Sequence, residues 1–163
     1  MKFTNSWKER QSITDMADEA MKKYLQKKNL IEGEDWVKLG PEPKLTPNMK
    51  MMWIVLKIVL LPDYIVVDNN ILFIIEVKGT LRFKESDYLN LKEMYCKSKK
   101  FDNVEIGILY FKNQLSKPSW FSYKKIKSIW ENNNISFQYY PEKDFQGSPK
   151  KYKLLTFLNS YER

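Results

Sequence analysis

The chain of 163 residues contains no histidine. That absence removes histidine-dependent nucleophile triads, histidine zinc sites and histidine general bases. Cys96 is the only cysteine, so no internal disulfide can form and a reducing compartment fits. It lies in a helical stretch beside Met94 and Tyr95 and is expected to be inert packing. No run of apolar residues is long enough for a membrane helix. The greasiest stretch, residues 51–61, is interrupted by Lys57 and closed by Pro62-Asp63. The opening residues, MKFTNSWKERQSITD, lack the apolar centre of a secretory signal. Internal repeats and low-complexity blocks are also missing. Any catalysis in this chain must therefore run on carboxylates, lysines, tyrosines or a hard metal ion.

What is present is a normally apolar composition, 43% by residue, which is enough chain and enough grease for one domain with its own core. The formal net charge is +8 and is unevenly spread. Residues 1–78 carry 12 basic and 11 acidic side chains, while residues 79–163 carry 16 and 9. A basic half on a globular domain fits a polyanionic partner, most often nucleic acid, although a solvated lysine-rich surface gives the same count.

Helical periodicity appears first at residues 12–30, where Ile13, Met16, Ala17, Ala20 and Tyr24 form a stripe widened by Met21 and Leu25. Residues 36–39 read as a short strand, and residues 40–47, with three prolines, as a loop. Residues 49–61 read as a long strand apolar on both faces, suited to a central position or to a covering partner. Strands follow at 63–67 and 71–78, a helix at 85–100, a strand at 104–111, a helix at 122–132 and a last strand at 135–140. The order α-β-β-β-α-β-α-β predicts an α/β fold with a mixed central sheet flanked by helices.

One segment, LLPDYIVVDNNILFIIEVKGT, places acids and a lysine inside what reads as buried sheet. Asn69-Asn70 between two apolar runs predicts a two-residue hairpin turn, because Asn tolerates the positive φ such turns need. Position i then pairs with position 139 − i, so Ile65 faces Ile74 and Asp63 faces Glu76, with Lys78 on that same face. Opposed carboxylates repel and lose hydration. A divalent cation between them resolves the conflict, and oxygen-only ligands suit Mg²⁺ or Mn²⁺. Lys78 would then hold or deprotonate a water and neutralise developing negative charge. The plainer reading is that these are charged residues at strand ends emerging into solvent.

Pro62-Asp63 followed by Glu76-Val77-Lys78 on the next strand resembles the PD-(D/E)xK nuclease superfamily. The preceding helix and the following helix-strand unit are similar to that fold's restriction-endonuclease-like αβββαβ core, over about residues 12–111, with residues 112–163 as a basic helix-strand extension. EVKG, the Lys-rich helix and SYKKIKSIWENNNISF resemble phage endonuclease I type Holliday junction resolvases. Tyr64 stands where that group commonly has Phe, and the hairpin is somewhat longer. The resemblance implies a Mg²⁺- or Mn²⁺-dependent endonuclease hydrolysing DNA phosphodiesters, with Asp63, Glu76 and Lys78 catalytic. It also implies a further acid from the first helix. Asp15, Asp18 and Glu19 are the candidates; counting back from Tyr24-Leu25 aligns Asp18, while Glu19 is the usual residue type and reaches further, so both Asp18 and Glu19 stand as metal ligands and Glu19 is preferred. It further implies a homodimer, for which residues 49–61 offer an interface, and a location in the cytoplasm of a phage-infected or bacterial host.

Lys84, Lys92, Lys97, Lys99 and Lys100 follow the motif, together with Arg82. Lys124, Lys125 and Lys127, with Lys150, Lys151 and Lys153, form a second group interleaved with Trp120, Tyr123, Trp130 and Tyr152. The lysines are expected to form a DNA-facing rim making sequence-independent phosphate contacts. The aromatics are candidates for stacking on unpaired bases or for the core. Two other functions fit the same residues: a nucleic-acid-binding protein that keeps the fold without catalysis, and a phage protein-interaction or inhibitor module whose basic half meets an acidic protein surface.

Overall fold

The computed structural model describes residues 7–39, 62–143 and 149–154. The expected long strand at 49–61, and with it the suggested dimer interface, lies outside these residues. The fold is α/β, with a mixed five-stranded sheet flanked by helices on both faces.

The first helix, α1 (Trp7–Lys27), starts earlier than the periodicity predicts and ends three residues sooner. It buries Ala17, Ala20, Met21 and Leu25, one face at helical spacing. Its end is fixed by Asn29 at φ 57°. Around it, the Leu30 N–H donates to the Leu25 carbonyl and the Asn29 N–H to the Gln26 carbonyl, a Schellman closure with Asn in the left-handed position.

The main sheet contains β1 (Trp36–Lys38), β2 (Tyr64–Asp68), β3 (Ile71–Lys78), β5 (Val104–Tyr110) and β6 (Ser119–Ser122), in the order β1-β2-β3-β5-β6. Only β3 and β5 run parallel. Between them the chain passes through β4 (Arg82–Lys84) and α2 (Glu85–Ser98). The β2–β3 hairpin turns on Asn69 (φ 50°) and Asn70 (φ 62°). Two successive positive φ values are the signature of a type I′ turn, whose twist matches the strands it joins. The register is the one its sequence implies, with Tyr64 opposite Ile75, Ile65 opposite Ile74 and Val67 opposite Leu72.

A third helix, α3 (Tyr123–Glu131), packs beside α2. A small second sheet, not anticipated from the sequence, is formed by β4, β8 (Pro149–Leu154) and β7 (Gln138–Lys143), in the order β4-β8-β7. Strand alternation divides the core in two. Tyr64, Val66, Ile75, Leu109 and Phe111 meet α1 on one face. Ile106, Ile108 and Phe121 meet Tyr88, Leu91, Tyr123, Ile126 and Ile129 on the other. Among the described residues, no helix is long and apolar enough to cross a membrane.

Candidate functional site

The alternation that puts Ile75 against α1 sends Glu76 and Lys78 to the opposite face, toward α2. Gly79 follows because α1 passes close behind: a Cβ there would lie 2.6 Å from Ile13 Cγ2 and 2.7 Å from the Ile13 carbonyl oxygen. The glycine of EVKG therefore lets α1 seal the back of the strand that carries the two charges.

Asp63 stands just before β2, at the mouth of the hairpin. Its backbone carbonyl accepts from the Leu39 N–H at 2.8 Å, and its carboxylate accepts from the Val77 N–H at 2.8 Å. The side chain is thus tied to the backbone between Glu76 and Lys78. Lys78 Nζ donates to Glu76 Oε1 at 2.9 Å. It also lies 3.2 Å from Oδ2 of Asp87, in the first turn of α2. The side chains of Glu76 and Lys78 are only 22% and 21% exposed.

The electrostatics follow from crowding three carboxylates around one ammonium in a half-dry site. Burial pushes the Glu76 carboxyl up to about 7; the Lys78 charge opposes this, while the negative charges of Asp63 and Asp87 add to it. Burial also raises Asp63, against the Val77 N–H and Lys78, with Asp18 adding to the rise. Burial alone would lower Lys78, but the Glu76 and Asp87 carboxylates outweigh it and hold the ammonium charged. The two shifts agree, because Glu76 titrates while Lys78 stays protonated. The cluster is a poised one, since Glu76 changes charge near neutrality and has a cation within hydrogen-bond reach.

The acids of α1 divide. Asp18 Oδ1 accepts a short hydrogen bond from the Tyr64 hydroxyl and Oδ2 one of 2.8 Å from Lys38 Nζ, with Lys22 3.7 Å away. Burial works to raise the Asp18 carboxyl, but the Lys38 and Tyr64 bonds prevail and keep its pKa below the usual value. Its charge is felt at Asp63. Glu19, preferred from the sequence, is exposed and accepts instead from the Gln114 side chain, in the loop after β5. One residue along a helix rotates the side chain by about 100°, and that step decides which acid turns toward Asp63. Asp15 accepts from Gln11 on the exposed side of α1.

Among the described residues, no group of three or more acidic or cysteine side chains is gathered closely enough to hold a metal ion by itself. Asp63 and Glu76 are a pair. Two carboxylates completed by waters and phosphate oxygens suit a small hard divalent cation, and Asp63 and Glu76, both raised chiefly by loss of hydration, are a donor set that such a cation fits.

The proposed rim lysines have mixed placements. Lys84, Lys92, Lys97, Lys99, Lys100, Lys124, Lys125 and Lys127 are all exposed, on or beside α2 and α3. Lys97 pairs with Glu93 at 2.6 Å and Lys127 with Glu131 at 3.8 Å. Lys99 lies over Tyr95 and Lys100 over Phe101. Lys151 is paired with Glu85 at 2.7 Å. Lys153 does not belong to the rim. It is 2% exposed, and its ammonium donates to the carbonyls of Ile129, Trp130 and Asn132 at the end of α3.

The four aromatics weighed as stacking platforms are spent on packing. Tyr123 stacks on Tyr95 at 4.4 Å, Trp130 on Tyr88 at 5.1 Å, and Trp120 meets Phe73 edge to face at 5.8 Å. Tyr152 is buried, with Arg82 over its ring. Cys96, expected in packing, is an exposed free thiol.

Asp87 is the site residue that the sequence hides. An acid in a first helical turn reads as a partner of the helix dipole, and only the tertiary packing of α2 brings it to Lys78. Comparison with family models, with curated proteins and with solved structures finds no match to this chain.

Proposed function

We propose that this protein is a divalent-metal-dependent endonuclease that hydrolyses DNA phosphodiester bonds, with branched or junction DNA as the substrate that its resemblance to endonuclease I type resolvases favours. The observation that carries this reading is the cluster of Asp63, Glu76 and Lys78, two half-buried carboxylates beside a half-buried ammonium that donates to one of them. Such a cluster is costly as a purely structural device, because each carboxylate loses hydration that the other does not return. It is useful where a cation and a phosphate must be held together.

Asp63 and Glu76 would hold Mg²⁺ or Mn²⁺, and Asp18 is the α1 acid placed to add negative charge beside Asp63. When bound, the ion would supply Lewis-acid polarisation of a phosphate oxygen and a lowered pKa for an attacking water. The chain's own part is positional and electrostatic. Val77's N–H keeps the Asp63 carboxylate turned inward. Lys78, kept charged by its carboxylate neighbours, places a fixed positive charge where negative charge develops during displacement at phosphorus. The exposed lysines of α2 and α3 give a sequence-independent hold on the phosphate backbone.

The test is incubation with linear duplex, single-stranded, branched and RNA substrates, with Mg²⁺ or with chelator. Cutting is expected with the metal, absent with chelator, and lost in a folded Glu76→Ala variant. Nucleic-acid binding without cleavage under every condition would leave a binding protein; absence of both would leave a protein-interaction module.

A further inference from the structure

We propose that Asp87 is a positioning residue that receives the Lys78 ammonium when the Glu76 carboxylate turns to a divalent cation. This rests on the reading of Asp63 and Glu76 as the cation's ligands. Lys78 Nζ sits between two carboxylates, 2.9 Å from Glu76 Oε1 and 3.2 Å from Asp87 Oδ2. The two contacts differ in kind. The Glu76 contact is a hydrogen bond, whereas Asp87 Oδ2 is buried and accepts none. A buried carboxylate oxygen with unused acceptor capacity, within ion-pair reach of an ammonium, is costly unless a second arrangement uses it.

That second arrangement follows from the chemistry of Glu76. A cation bound at Asp63 and Glu76 draws electron density from the Glu76 carboxylate, which weakens its bond to Lys78, and adds positive charge beside an ammonium already partly withdrawn from solvent. Without another anion the buried charge would be left uncompensated, which is strongly unfavourable. Asp87 supplies that anion from a helix rather than a loop, with its side chain 15% exposed. Lys78 stays at the site through the exchange, displaced toward α2 by the difference between two neighbouring acceptors.

The role is separable from that of a ligand, because Asp87 acts only through Lys78. Mn²⁺ is titrated into the full chain and its free signal followed by electron paramagnetic resonance, with circular dichroism to verify folding. Four proteins are compared: wild type, Asp87→Asn, Lys78→Met and the double variant. Asp87→Asn is expected to weaken Mn²⁺ binding about 10- to 100-fold, the usual range for an outer partner of a metal site. In the Lys78→Met background, where no ammonium has to be rehoused, the same change should cost less than about twofold by that reasoning. Equal losses in both backgrounds would make Asp87 a direct electrostatic contributor and overturn the proposal, as would no loss in either. Wild-type protein that binds no Mn²⁺ overturns the nuclease reading as well; wild-type binding that Asp87→Asn leaves unchanged overturns this inference alone. A structure of the Mn²⁺-loaded wild type gives a readout that needs no variant. Lys78 Nζ on Asp87 and off Glu76 is expected, and Nζ still on Glu76 overturns the exchange.

Discussion

Lys78 and Lys153 are both withdrawn from solvent, and the protein holds them in opposite ways. Lys153 gives its three donors to three backbone carbonyls, at 3.1, 2.7 and 2.9 Å, where α3 ends. The carbonyls of Ile129 and Asn132 each accept a backbone N–H as well, from Asn132 and Ile135, so the ammonium adds to an already closed helix end, where the helix dipole favours a cation. Burial draws the Lys153 pKa down, and the carbonyls work against that loss of charge. The Phe137 ring, 4.4 Å away, covers it from the side. Every group in that arrangement is satisfied and none has another task. Lys78 instead faces two carboxylates, one hydrogen-bonded and one not, and its better partner titrates near neutrality. A buried lysine that closes a helix is structure. A half-buried lysine between two acids is, on the function proposed above, a site kept ready for a further charge.

The widest separation between the two is expected from truncating each lysine. Lys78→Ala should cut DNA slower by a factor on the order of 10² to 10³, the scale of losing one preorganised electrostatic contact, while still binding Mn²⁺. Lys153→Met should leave cleavage per folded molecule unchanged and lower the unfolding free energy by about 1–3 kcal/mol, because the carbonyls of Ile129, Trp130 and Asn132 lose a charged donor. Urea unfolding and a cleavage assay on both variants check this. The contrast breaks if Lys153→Met abolishes cutting in folded protein, or if Lys78→Ala cuts normally.

A smaller effect sharpens the comparison through pH. The folded-state pKa of Glu76, about 7, lies above its ordinary value of 4.5. Between those values the folded chain holds a proton that the unfolded chain has released. This contribution to stability is therefore complete below about pH 4.5 and disappears as pH climbs through about 7. Glu76→Gln should flatten that fall in urea titrations from pH 5 to 8, and Lys153→Met should leave its slope as it is. A slope unchanged in Glu76→Gln would assign the titration to another group.

Much of the site's frame was readable in the sequence because it is local. Asn69-Asn70 encodes its turn in two residues, and the turn sets the register that brings Asp63 to the mouth of β3. The stripe of α1 and the apolar run of β5 are likewise periodic signals. What stayed hidden depends on tertiary rotation or on short polar strands. Choosing between Asp18 and Glu19 needs the roll of α1 against Tyr64, which periodicity gives only to within a residue. Asp87 needs the approach of α2. β8, PKKYKL, reads as a charged surface segment, yet Tyr152 and Lys153 are both buried. The lysine enters the core because the end of α3 offers acceptors there, which no local pattern announces. β4 and β6, three and four residues long, are too short for alternation to register. The last predicted strand, 135–140, falls at Gln138–Lys143 because the chain first turns at residues 133–135.

The central claim is that the carboxylates of Asp63 and Glu76 form one cradle for a divalent cation. Diffraction at the manganese edge from crystals soaked in Mn²⁺ tests it most directly. The account predicts a single anomalous peak within about 2.0–2.3 Å of an oxygen from each residue. Two well-ordered carboxylates with no peak between them, or a peak bound elsewhere, would contradict it.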